Sequence, residues 1–137
     1  MCENCNLFYL AGMIDGEGCI FIGLRYNLQL SITNTNKESL EFLQRQFGGH
    51  LYFSKGPDLQ WRDYGRLVWM GKVAKEVLVK VVNKLIIKRE QAELAITFPV
   101  GDCGHRHTEE NDKLRDAIRT RMRVINKPGV QYEEQEQ

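Results

Sequence analysis

Two carboxylates, Asp15 and Glu17, close the stretch Leu10-Ala-Gly-Met-Ile-Asp-Gly-Glu-Gly18, with a glycine on each side of the second. Leu7, Leu10, Ala11 and Ile14 precede them at i, i+3, i+4 and i+7, the spacing of one helical face. The acids therefore belong at a helix C-terminus, where the macrodipole disfavours negative charge by roughly 0.3–1 kcal/mol each. Gly12 and Gly16 share a stripe without side chains, on which a second helix can approach backbone to backbone. Each glycine costs ~1 kcal/mol of helix propensity, a loss that close packing would offset. If the partner were a second copy of the chain, two acidic helix ends would meet, and a divalent cation between them would relieve the repulsion. Carboxylates holding Mg²⁺ beside a phosphodiester can activate water and stabilise the leaving oxygen. The same spacing suits an exposed turn after a core helix, and these residues alone leave both readings open.

The cysteines offer a second chemistry. Cys2-x-x-Cys5 together with Cys103-Gly-His105-Arg-His107 contains enough soft ligands for zinc. Their spacing matches no common zinc pattern, so ordinary reduced thiols are the expectation. The start of the chain has neither a basic segment nor an apolar one and does not read as a signal peptide, so a disulfide framework is not expected.

The elements that must carry these residues follow from patterning in a chain of 137 residues, 42% hydrophobic and 27% charged, which suits one domain with a real core. Residues 1–127 are expected to form that domain and 128–137 a flexible acidic tail, since Glu133, Glu134 and Glu136 cluster there. No apolar run is long enough to span a membrane, and a soluble intracellular protein is expected. A helix is predicted from an N-cap at Asn6 to a stop at Gly16/Gly18. Two strands follow, Cys19–Asn27 and Leu28–Thr35; the second alternates Leu28, Leu30 and Ile32 against Gln29, Ser31, Thr33 and Thr35. A helix over Lys37–Phe47 ends at Gly48-Gly49, and strands His50–Ser54 and Arg66–Met70 make a second hairpin. Val73–Phe98 reads as helical with a break near Asn83–Ile87, Thr108–Val124 as a last helix.

This order predicts an α+β domain: one antiparallel sheet of hairpins, helices packed on one face, and a C-terminal helix added. The other face stays open. Its expected side chains are Arg25, Asn27, Gln29, Ser31, Thr33 and Thr35, then Lys55, Gln60, Arg62, Tyr64 and Arg66. A plainly solvated face usually mixes in acids, and none sits on the first two strands. Net charge is only +1, which is low for a nucleic-acid binder, but residues 25–89 carry twelve Lys/Arg against five Asp/Glu. A polyanion partner is therefore compatible with the middle of the chain without being demanded by composition.

The stretch Leu10–Gly18 resembles the signature of the LAGLIDADG homing endonucleases, with Met13 for Leu, Gly16 for Ala and Glu17 for Asp. The element order is similar to that family's αββαββα core with its saddle-shaped sheet, and the resemblance covers most of residues 6–98. Within the family the chain is most similar to the single-motif, homodimeric, intron-encoded enzymes, at Gln29-Leu-Ser-Ile32, Asn34-Thr-Asn-Lys37 and Lys88-Arg-Glu-Gln-Ala-Glu-Leu94. The resemblance implies a homodimer that cuts a long, near-palindromic double-stranded DNA site by metal-dependent hydrolysis, leaving short 3′ overhangs. It implies Glu17 as metal ligand with the Gly16 carbonyl, and Asp15 as a structural brace. Asn36 falls where a glutamine positions the attacking water, and Lys88 where a lysine lies near the scissile phosphate. The bland alternative for Lys88 is a solvated stripe with Lys80 and Lys84. Leu10, Ala11, Gly12, Met13, Asp15 and Gly16 would form the dimer contact, and the open-face residues would meet DNA. Mg²⁺ is the implied cofactor, with Mn²⁺ or Ca²⁺ able to replace it in binding; neither a membrane nor a small-molecule substrate is implied. The host compartment would be a chloroplast, a mitochondrion, or bacterial or phage cytoplasm. Two positions depart from the pattern: Asn36 is shorter than glutamine, and Leu40 stands where a second basic residue is common. Family relatives also act as RNA-binding intron maturases or as silent DNA binders, and the retained Glu17 argues for cleavage.

Overall fold

The computed structural model describes residues 2–23, 25–56, 62–100 and 109–127. The first helix, α1, runs Glu3–Glu17 and buries Leu10, Ala11 and Ile14, the stripe legible in the sequence. It starts earlier than expected: Cys2, not Asn6, is the N-cap, and the Cys2 Sγ accepts from the Cys5 amide. Asn6 instead lies buried in the second turn, where its side-chain amide donates to Gln46 Oε1 at 3.0 Å. α1 ends where Gly18 turns directly into a strand. A Cβ on Gly18 would lie 2.6 Å from the Ile14 carbonyl oxygen, so glycine is required for this close exit.

Strands β1 (Gly18–Ile22) and β2 (Leu28–Asn34) form an antiparallel hairpin from Gly18↔Ile32 to Ile22↔Leu28. Both are shorter than predicted. Arg25 and Asn27 lie in the connecting turn, closed by the Gly23 amide donating to the Asn27 carbonyl at 2.8 Å, with Tyr26 at φ 58°. Helix α2 occupies Lys37–Phe47 as expected and buries Leu40 and Leu43. Gly49 then takes φ +99° beneath the Trp69 indole, whose Nε1 donates to the Phe47 carbonyl at 3.1 Å. Strands β3 (His50–Ser54) and β4 (Tyr64–Met70) complete a four-stranded antiparallel sheet of order β1-β2-β4-β3.

The predicted long helix is divided into α3 (Gly71–Val81), a 3₁₀ turn (Val82–Lys84) and α4 (Arg89–Ile96). The last helix, α5, spans Glu109–Ile125. Helices α1, α2 and α3 pack on one face of the sheet, while α4 and α5 lie against each other and β1. Leu30 and Ile32 from β2, Leu67 and Trp69 from β4, and Leu10, Ile14, Leu40, Leu43 and Leu78 from the helices are fully buried and form the core. At β1, Asn126 Nδ2 donates to the Ile20 carbonyl at 2.8 Å, and Tyr26 donates to Asp116 Oδ1 at 2.6 Å, which ties the hairpin turn to α5. The architecture is α+β. No described helix is long and apolar enough to cross a membrane.

Candidate functional site

The C-terminal tip of α1 resolves the electrostatic oddity of its acids. Asp15 Oδ2 accepts from the Ile86 amide at 2.9 Å and Oδ1 from the Lys88 amide at 3.0 Å. Lys88 Nζ donates back to the Asp15 carbonyl at 2.9 Å. Carbonyls in a last helical turn lack intrahelical partners, and a cation there suits the dipole. The residues between α3 and α4 thus fold over the end of α1, with Asp15 as their clamp. The interruption of the helix at 82–88 also takes Lys88 out of any stripe with Lys80 and Lys84.

Glu17 is treated differently. It is exposed at the end of the same helix, and its carboxylate has no hydrogen-bond partner among the described residues. Its carboxylate and the adjacent Gly16 carbonyl are hard oxygen donors of the kind Mg²⁺ and Ca²⁺ accept. Among the described residues no group of three or more His, Cys, Asp or Glu could hold a metal ion. A divalent cation at Glu17 would therefore need oxygens from outside the chain, such as phosphates, water or a second carboxylate.

Gly12 and Gly16 open outward, and a Cβ on either would meet nothing within 4 Å. Phe8, 57% exposed, continues this face one turn before Gly12, with Lys84 Nζ 5.2 Å from its ring centroid. Beside the Asp15 clamp stand Ile86 and Ile87, 84% and 69% exposed. This end of α1 thus joins an open glycine stripe to exposed apolar side chains and one carboxylate. The expected dimer contact needs correcting at Leu10 and Ala11, which are 0% and 2% exposed and belong to the chain's own core. Met13 and Asp15 are half-buried. Phe8, Ile86 and Ile87 are the large apolar side chains exposed on this side, and Phe8, four residues before Gly12, shares its helical face.

On the open face of the sheet, register sets the rows. Thr33, Arg66 and Tyr52 lie side by side across β2, β4 and β3, and Gln29 lies between Phe21 and Met70. Gln29, Tyr52, Ser54, Tyr64, Arg66, Val68 and Met70 line a groove of about 420 Å³. Ser31, flanked by Cys19 and Val68 in the middle of the sheet, is only 5% exposed and sits below the level of its neighbours Gln29 and Thr33. Arg25, Asn27, Thr33, Thr35, Lys55, Arg62 and Tyr64 are exposed, and Gln60 lies outside the described residues. Phe21, His50, Tyr52, Ser54 and Met70 share the face but were not among the expected set. Alternation along His50-Leu-Tyr-Phe-Ser54 was the signal that marks three of them.

Asn36 caps α2, its Oδ1 accepting from the Ser39 amide at 2.9 Å while the Ser39 hydroxyl donates to the Asn36 carbonyl. The carbonyl end of its side chain is thus committed to the helix. Of the potential zinc ligands, Cys103, His105 and His107 lie outside the described residues.

No protein-family model matches the sequence, and no curated protein matches it. Solved structures do. The homing endonuclease I-CvuI in complex with its target in the presence of calcium matches with a TM-score of 0.64 and 18% identity, over 93% of this chain and 85% of that one. I-CvuI with another DNA target in the presence of magnesium, its DNA not cleaved, gives 0.61 and 17% over the same shares. An archaeal intron-encoded homing endonuclease, I-Vdi141I, complexed with DNA, gives 0.65 and 19% over 94% of this chain and 89% of that one. With the nine-residue motif on α1 and this sheet and helix arrangement around it, the chain has the fold of the LAGLIDADG homing endonucleases.

Proposed function

We propose that this chain is a divalent-metal-dependent DNA endonuclease that works as a twofold dimer. The observation that carries the reading is the exposed tip of α1, where Glu17 stands beyond the open Gly12/Gly16 stripe, with Phe8 exposed at the other end of that stripe and Ile86 and Ile87 exposed beside the Asp15 clamp. Two such helices packed through their glycines would bring two Glu17 carboxylates together near a dyad. Phosphate oxygens of a bound duplex would complete the ligand set that one chain lacks. A divalent cation held there supplies activation of water and charge neutralisation at the phosphodiester. Asp15 holds the helix end rigid through the Ile86 and Lys88 amides and so keeps Glu17 in place. Lys88, tethered to the Asp15 carbonyl, sits close enough to this end to meet a phosphate.

The open face supplies recognition. Gln29, Arg66, Tyr52 and Tyr64 project side chains of the kinds that read base edges in a major groove or grip phosphates. A closed dimer with two identical faces requires a near-palindromic site, and the family resemblance implies one cut per strand with short 3′ overhangs. Selection of cleaved molecules from a randomised duplex pool with Mg²⁺ tests the reading. Recovery of one near-palindromic sequence with a staggered cut is expected; no enrichment, or cleavage unaffected by chelation, would overturn it.

A further inference from the structure

At the other end of α1, Cys2 and Cys5 form a pair that the proposed cleavage does not use. Cys2 is the N-cap with extended backbone (φ −71°, ψ 158°), which swings its side chain over the first helical turn. There its Sγ accepts from the Cys5 amide at 3.3 Å, and the two sulfurs lie 2.7 Å apart. A disulfide bond measures ~2.05 Å, so closure needs a shift of only about 0.7 Å. Both thiols are exposed, and an oxidant can reach them.

We infer that Cys2 and Cys5 form a redox-active dithiol that closes to a disulfide across the first turn of α1 by exchange with a small disulfide such as oxidised glutathione. The Cys5 thiol beside it holds the Cys2 pKa below the usual thiol value, whereas the same contact pushes Cys5 up. Cys2 is therefore the attacking sulfur and Cys5 the resolving one. The Cys2 thiolate attacks one sulfur of the oxidant, breaking its S–S bond and releasing one glutathione thiolate. Cys5 then loses its proton and attacks Cys2 Sγ, expelling the second glutathione. In total, two electrons and two protons pass from the cysteine pair to the oxidant. The product staples the start of the helix whose far end carries Glu17.

The test equilibrates the full chain, as the C103S variant, with stepped ratios of reduced to oxidised glutathione. After acid quench and alkylation, peptide masses report each thiol. Cys19, exposed on β1, is the internal reference. The expected result is joint loss of the Cys2 and Cys5 thiols as a cross-linked peptide lacking two hydrogens, at ratios where Cys19 still alkylates. In C2S, Cys5 should instead retain a glutathione adduct that nothing resolves. Oxidation of Cys2 and Cys5 only in step with Cys19, or as separate glutathione adducts in the C103S chain, would overturn the inference.

Discussion

The tip of α1 and the open face of the sheet are both exposed surfaces, yet they are built in opposite ways. At the tip, backbone does the positioning: the Asp15 carboxylate is held by two amides, its carbonyl by Lys88, and the exit through Gly18 admits no Cβ. On the sheet, strand register fixes which side chains share a row, but among the described residues no hydrogen bond pins the ends of Gln29, Arg66 or Tyr52. The contrast suits a division of labour. Chemistry on a phosphate tolerates little displacement of its groups, and an error of about 1 Å can cost on the order of a hundredfold in rate. Readout of a sequence is set by side-chain identity at exposed positions, which can change without disturbing the core.

The strongest way to break this comparison is to add bulk at the tip. Gly12→Arg should leave the monomer's thermal stability near wild type, because a Cβ there meets nothing within 4 Å. Self-association measured by sedimentation should weaken at least about thirtyfold, since the bulk enters a twofold contact twice at ~1–3 kcal/mol each. Unchanged association would show that the glycine stripe is not the interface. Next in size is Asp15→Ala, which strands the Ile86 and Lys88 amides and should lower stability by about 2 kcal/mol in denaturant unfolding. A loss under about 0.5 kcal/mol would mean that the clamp is incidental.

Arg66→Ala sharpens the other side of the comparison. On recovered target DNA it should cost ~1–3 kcal/mol of binding and relax preference at one position in each half-site, with no fall in melting temperature. The smallest effect concerns the turn that carries Arg25 and Asn27. Tyr26 donates to Asp116, and that bond raises the tyrosine pKa above its ordinary value of 10.0. The folded state then holds this proton more tightly than the unfolded chain does. The associated stability is complete below about pH 10 and is lost as pH climbs through the raised value. Tyr26→Phe should flatten that alkaline limb of the stability curve and change little at neutral pH; an unaltered limb would refute the coupling.

Local pattern made much of this molecule legible. The helix expected over Lys37–Phe47 is the helix observed, because Leu40 and Leu43 mark its buried face and Gly48-Gly49 its end. Alternation along Leu28–Ile32 placed β2, and the cluster of β-branched residues near Asn83–Ile87 marked the break between α3 and α4. What stayed hidden depended on partners distant in sequence. The Asp15 clamp joins residues 71 and 73 positions apart, so no local spacing shows it. Asn6 has the chemistry of an N-cap but is drawn inward by Gln46, 40 residues away. Ser31 alternates with the core residues yet is covered by its neighbours on both flanking strands. Leu10 and Ala11 belong to the motif and also to the core, a distinction that only packing against the sheet reveals.

The central claim is that Glu17, and not its neighbour Asp15, carries the metal-dependent chemistry. Glu17→Gln keeps the shape of an exposed side chain and removes its charge. Single-turnover cleavage of the recovered duplex with Mg²⁺ should fall by roughly 10²–10³-fold or more, while affinity for the same duplex in Ca²⁺ stays within about twofold of wild type. Cleavage by the variant at the wild-type rate would contradict the account.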